Sequence, residues 1–258
     1  MTLPADKANE ILSLFDQRTL DHLGDDLARI EAARAHFEAN GWPRIVEIGA
    51  NRGAFLEGQA RAYPDTPVLG IEWRAKLCRI AEERFAKRGI HNAYMLHANA
   101  RLAIPLLFGP ESLDAMHVLF PDPWWKARHA RRRVLDPLFL RVIARRLDRR
   151  GALYLKSDVF DYLHRVRVAA ECSKAMRPLP AERWPDERAW LPSTREKKCM
   201  NAAIPFGRGF YTRANGFETS LPGSVESADD FPMPEEVDGT AVIKGAPPID
   251  RASKGRRR

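Results

Sequence analysis

The chain has 258 residues, of which 45% are hydrophobic and 29% charged, with a formal net charge of +8. That apolar content suffices for one sizeable core, and no run of about eighteen apolar residues offers a membrane-spanning helix. The three cysteines, Cys78, Cys172 and Cys199, stand too far apart for a disulfide framework or a thiolate zinc site, which fits a reducing, cytoplasmic compartment.

Residues 1–20 read as an N-terminal arm with no apolar leader. Across 18–40, Leu20, Leu23, Leu27, Ile30, Ala33 and Phe37 recur at helical spacing, and Asn40-Gly41 stops the run. "RIVEIGANRGAFLEGQA" then reads as strand, glycine turn and helix. "TPVLGIEW" is a strand and residues 74–89 a helix; "NAYMLHAN" is a strand and "ARLAIPLL" a short helix; "LDAMHVLF" is a strand. Residues 134–151 read as a helix stopped by Gly151, and "ALYLKSD" as the next strand. One more helix follows from about Val159, then a polar, Pro-rich span to Trp190, and a final strand in "GFYTR". Strands alternating with helices predict a Rossmann-like α/β fold, a mostly parallel twisted sheet with helices on both faces, over residues 21–213. Residues 214–258 lack the apolar content to offset ordering entropy and read as a largely disordered tail.

The charge is uneven. From residue 214 onward eight Asp/Glu face six Lys/Arg, a net of −2, so residues 1–213 carry +10. A domain this basic suits a polyanion such as nucleic acid, although solubility charge alone gives the same count. The closing "SKGRRR" reads as solvated.

In sheets of this kind ligands sit outside the carboxyl ends of the strands. Gly49, Glu72, Asn99, Asp122 and Asp158 all fall at such ends. Gly49 and Gly53 let the backbone pass close to a ligand, and Glu47 shares a strand face with Gly49. Glu72 ends the next strand, where an acid suits the donors of a ribose diol. Past the fourth strand, "FPDPWWKARHARRR" places Asp122 between two prolines that hold φ and discourage helix. Trp124 and Trp125 offer planes for a base. Lys126, Arg128, His129, Arg131, Arg132 and Arg133 offer phosphate contacts, and Arg145, Arg146, Arg149 and Arg150 are further cations for either RNA or a helix end. His22, His36, His91, His97 and His164 lack metal-ligand spacing, so no metal is expected.

Two resemblances sharpen this reading. Glu47-x-Gly49-x-x-x-Gly53 resembles the first motif of class I methyltransferases, E-x-G-x-G-x-G, with Asn51 at the central glycine; Asn tolerates the left-handed backbone better than most residues. Residues 120–133 resemble the signature of the tRNA (guanine-N7-)-methyltransferase family, F-P-D-P-W-x-K-x-R-H-x-x-R-R. Ser157-Asp158 is similar to that family's Thr-Asp strand end, and "STREKK" to its T-x-Y/F-E-x-K/R segment. The resemblance spans about residues 44–213. It implies S-adenosylmethionine as cofactor, held by Glu47, Gly49, Gly53, Glu72, Asn99, Ala100 and Asp122, with Asp122 also catalytic. It implies a tRNA substrate contacted by Lys126, Arg128, His129, Arg132, Asp158, Ser193, Thr194, Arg195 and Glu196, methylated at N7 of the variable-loop guanine at position 46. Ser193 stands for the usual threonine and Arg195 for an aromatic. The expected enzyme is a monomer or weak homodimer without an obligatory partner subunit. The alternatives are a methyltransferase of this fold acting on another RNA, or an RNA-binding module with weakened cofactor binding, the latter raised by Asn51 and Arg195.

Overall fold

The computed structural model describes residues 23–123, 133–186 and 190–217; the expected arm and nearly all of the expected tail lie outside them. Seven strands form one sheet in the order β3-β2-β1-β4-β5-β7-β6. They are β1 (Ile45–Ile48), β2 (Val68–Glu72), β3 (Ala93–His97), β4 (Leu113–Leu119), β5 (Leu147–Ser157), β6 (Met176–Pro178) and β7 (Gly207–Arg213). The first five pair in parallel, and β7 lies antiparallel between β5 and β6.

The helices are α1 (Leu23–Asn40), α2 (Ala54–Ala62), α3 (Ala75–Lys87), α4 (Ala100–Leu107), α5 (Pro137–Arg146), α6 (Phe160–Ser173) and α7 (Thr194–Asn201). Strand alternation assigns them to faces. Val46, Ile48, Met116, Val118, Leu153 and Leu155 point into a core shared with α1, α4, α5 and α6. Ile45, Val68 and Met95 point the other way, onto α2 and α3 through Leu56, Ala81 and Phe85. Both faces of the central strands are therefore covered, which is why β1 and β2 are buried throughout, Glu47 included. The helical stripe read from the sequence holds at Leu27, Ile30, Ala33 and Phe37, all buried.

One expectation needs correction. The helix read over 134–151 spans only Pro137–Arg146. Asp136 caps its start, its carboxylate accepting from the Phe139 N–H at 2.9 Å, and β5 begins at the next residue, where Leu147 pairs with Leu113. Gly151 is no helix stop. A Cβ there would come within 2.7 Å of the Leu113 carbonyl, so the glycine permits the irregular approach of β4 and β5. Of the two roles open to Arg145 and Arg146, the structure gives the helix-end one. Arg145 and Arg146 are 3% and 2% exposed, with Arg146 donating to the Phe108 and Pro105 carbonyls and Arg145 over the Phe217 ring. They tie the C-terminal end of α5 into the core and leave no charge for RNA. β6 escaped the sequence reading because three residues ending in proline carry no alternation; Pro178 is tolerated at a sheet edge.

Candidate active site

Strand order reverses between β1 and β4, with β2 on one side and β5 on the other, and a crevice opens beyond their carboxyl ends as it does in such sheets. Its volume is ≈ 600 Å³, within the range of small-molecule sites. Its wall comes from the ends of β1, β2, β3 and β4 and the N-termini of α4 and α7.

The glycine turn forms the floor. Gly49 sits at φ +76° and Asn51 at φ +53°, so Asn51 adopts the left-handed backbone that a glycine would take in this motif. Its N–H donates to Glu72 Oε2 at 3.1 Å, while Glu72 Oε1 accepts from the N–H and Nε of Arg74, each at 3.1 Å. The acid at the end of β2 is thus locked against the turn that follows β1. Gly53 has a packing role. It is not among the crevice residues, and a Cβ there would lie 2.6 Å from the Phe85 ring, so Gly53 serves the packing of α2 on α3.

Glu47 is buried at the crevice floor. Burial pushes its carboxyl well above the usual range, against a bond donated by the Leu56 N–H, and the charge on Glu72 adds to the rise. Its Oε2 has no hydrogen-bond partner among the described residues. A buried acceptor without a donor is costly unless something completes it. The methionine ammonium of S-adenosylmethionine is such a donor, and Glu72 next door is an acceptor for ribose hydroxyls. The residues fit that cofactor: Glu47 and Glu72 as its polar anchors, Gly49, Asn99 and Ala100 as the wall. Trp73, which the sequence reading left aside, is 64% exposed beside Glu72 and lines the same crevice. An exposed tryptophan directly after the ribose acid was the available signal.

On the far wall, Phe120 takes φ +53°, rare for a bulky residue, just before Pro121. Its N–H donates to the Lys156 carbonyl at 2.7 Å and its ring meets Phe206 at 5.5 Å, so β5 and the segment before β7 hold the bend. Asp122 follows, exposed at the crevice rim. Arg133 also lines the crevice. Lys126, Arg128, His129 and Arg132 lie outside the described residues.

The matching family model, described as "Putative methyltransferase", covers residues 42–205. The tRNA (guanine-N(7)-)-methyltransferase of Anaeromyxobacter dehalogenans is 38% identical over 179 residues, 68% of this chain and 88% of that protein. The enzyme of the same name from Myxococcus xanthus is 33% identical over 167 residues, 64% of this chain and 81% of that protein. The chain belongs to the tRNA (guanine-N(7)-)-methyltransferase family. Among solved structures, the aminoglycoside resistance methyltransferase NpmB1 aligns over 70% of this chain and 93% of its own, with TM-score 0.45 and 19% identity.

Within this family member the α7 segment divides its labour. Ser193, Thr194 and Arg195 line the crevice, but Glu196 does not. Ser193 and Glu196 form a capping box: Ser193 Oγ accepts from the Glu196 N–H at 3.2 Å, and Glu196 Oε2 accepts from the Ser193 N–H at 3.4 Å. Glu196 Oε1 then takes Lys156 Nζ at 2.6 Å, with both side chains buried. Glu196, expected to touch the substrate, fixes α7 to β5. Glu196→Ala removes the counter-charge of a buried ammonium and should cost about 3–5 kcal/mol of folding stability. A thermal melt of the variant should show that loss; a melt matching the wild type would contradict the structural role. Asp158 likewise lies off the crevice wall. It accepts from Arg195 Nε at 3.1 Å and from Arg195 Nη2, and this pairing raises the guanidinium pKa further. Arg195, the departure from the family pattern, is thereby anchored at the crevice edge.

His117 was also missed. It is 1% exposed on β4, in register with Glu47 on one side and Tyr154 on the other, and it stacks on Tyr154 at 5.0 Å. Burial, reinforced by the Lys156 charge, pulls its pKa down to about 3. It is a neutral core ring beneath the site. Among the described residues, no cluster of His, Cys, Asp and Glu is arranged to hold a metal, and no helix is long and apolar enough to cross a membrane.

Proposed function

We propose that this chain transfers the methyl group of S-adenosylmethionine to N7 of a guanine in tRNA, the variable-loop guanine at position 46. The observation that carries the reading is the meeting, in one crevice, of the Glu47–Glu72 anchor pair with an aspartate set on a strained Phe-Pro bend at the opposite rim. Bound S-adenosylmethionine supplies an electrophilic methyl on a sulfonium, so the methyl–sulfur bond breaks as the methyl–N7 bond forms.

Guanine N7 already carries a lone pair, and no side chain has to remove a proton before attack. What the protein must supply is placement and a favourable field. Glu47 accepts from the cofactor ammonium and Glu72 from its ribose, while Trp73 covers the neighbouring wall. Asp122 accepts from the amino and N1–H edge of guanine and, as an anion, stabilises the positive charge that the purine gains. Arg195, held by Asp158, faces the entry of the crevice, and the basic run from Lys126 to Arg132 grips the tRNA backbone. On this reading the chain acts as a monomer or weak homodimer without a partner subunit. Three free cysteines suit the cytoplasm.

Incubation with unmodified tRNA and S-adenosylmethionine, followed by mass mapping of the product, tests the proposal. A single added methyl on the guanine at position 46 is the expected result. Methylation of another nucleotide would replace the target, and absence of methylation with intact tRNA binding would favour an RNA-binding module.

A further inference from the structure

We propose that α1 sets cofactor affinity through a clamp of three residues, Asp26, Arg29 and His97, which fixes the β2 and β3 ends of the crevice. The clamp rests on the cofactor reading above and adds a second layer to it. Asp26 Oδ2 accepts from the Asn99 main-chain N–H at 2.8 Å, and its Oδ1 accepts from Arg29 Nη2 at 2.5 Å. Arg29 Nε donates to the His97 carbonyl at 2.7 Å. His97 Nε2 in turn donates to the Trp73 carbonyl at 3.0 Å, so the ring carries its proton on that nitrogen. One side-chain pair on α1 thus holds a main-chain group at the last residue of β3 and another two residues beyond it, and the His97 side chain holds the turn after β2.

Both held ends matter to the site, because Asn99 and Trp73 line the crevice. The Asn99 side chain is itself committed to capping α4, accepting from the Arg101 N–H at 3.0 Å, so its main chain depends on Asp26 for a partner. Among the described residues β3 is an edge strand paired with β2 alone, which leaves its end without support from a second strand. α1 provides that support from a rigid base. Its stripe of Leu27, Ile30, Ala33 and Phe37 is sunk in the core, and Asp26 and Arg29 stand beside the stripe with side chains 18% and 36% exposed. Asp26, Arg29 and His97 are not themselves crevice residues. They are positioning residues, acting through Asn99 and Trp73. Loss of one charge-assisted bond of this kind lets the wall relax before the cofactor arrives, and the ordering then falls on binding.

Calorimetry on the full chain tests the clamp, using S-adenosylmethionine as probe and Asp26→Ala, His97→Ala and His97→Gln as variants. Asp26→Ala and His97→Ala should each weaken cofactor binding about tenfold. Their kcat at saturating cofactor and their tRNA affinity should stay within about twofold of wild type. His97→Gln keeps a side-chain N–H donor for the Trp73 carbonyl and should restore most of the affinity. Two results overturn the clamp: cofactor affinity unchanged in both alanine variants, or equal losses of cofactor and tRNA binding alongside a lowered Tm without rescue by glutamine. A wild-type chain that binds no S-adenosylmethionine would instead fell the cofactor reading, and the clamp with it.

Discussion

Asp122→Ala should lower the single-turnover rate of methyl transfer by about 10²–10³-fold, the usual effect of removing a preorganised charge from the reacting centre. Phe120 is held at φ +53° by its N–H bond to the Lys156 carbonyl and by contact with the Phe206 ring, and Pro121 removes the freedom that would let the chain unwind from that bend. The carboxylate that follows therefore points from a fixed base and needs little reorganisation as charge develops on guanine. Asp122→Asn keeps an acceptor but loses the anion, so it should fall between wild type and alanine. Rates with labelled cofactor and saturating tRNA provide the measurement. An alanine variant that transfers methyl at nearly the wild-type rate would remove Asp122 from the reaction.

The second large effect is expected at Glu47, where stability and function oppose each other. Glu47→Gln should weaken S-adenosylmethionine binding by about tenfold or more while raising the melting temperature at neutral pH. The sign follows from the direction of the shift. Burial raises the Glu47 carboxyl well above its ordinary pKa, so the unfolded chain gives up this proton at lower pH than the folded one. Below the ordinary carboxylate range the residue is neutral in both states and the two proteins should melt alike. As pH rises through and beyond that range the wild type loses stability and glutamine does not, so the gap should open toward neutral pH. Each kcal/mol would appear as about 2–4 °C for a domain of this size. Calorimetric melts at several pH values, paired with cofactor titration, check both halves. A variant that is less stable at neutral pH, or that binds cofactor as well as wild type, would contradict the assignment of the unpartnered Oε2 as the ammonium acceptor.

Much of the architecture is local and so was legible in the sequence. The alternation of short apolar runs with amphipathic stretches located β1 to β4 and the helices between them, because strand and helix periods are written residue by residue. The polar residues at strand ends stood out for the same reason: an acid such as Glu72 or Asp122 directly after a buried run has few structural explanations. The boundary at Leu147 was illegible because it depends on pairing with Leu113, a partner 34 positions away, and because arginines at a helix end look alike whether they face water or, like Arg146, a cluster of core carbonyls.

The residues that look most alike on paper parted most in space. Gly49 and Gly53 belong to one motif, yet Gly49 lines the crevice while Gly53 makes room for Phe85. Thr194, Arg195 and Glu196 are neighbours, yet a single helical turn sends the first two to the crevice and the third inward to Lys156. A sequence states which chemistry is present and at which strand end it falls, since those follow from periods of two and 3.6. It does not state which side of a helix meets a neighbour contributed from far along the chain. The alternating pattern, the glycine turn and the proline-bracketed aspartate were determined by the sequence alone. The Asp158–Arg195 pair, the buried Lys156–Glu196 bridge, the orphaned oxygen of Glu47 and the reach of Asp26 to Asn99 were decided only by tertiary packing, because each joins groups that the chain itself keeps apart.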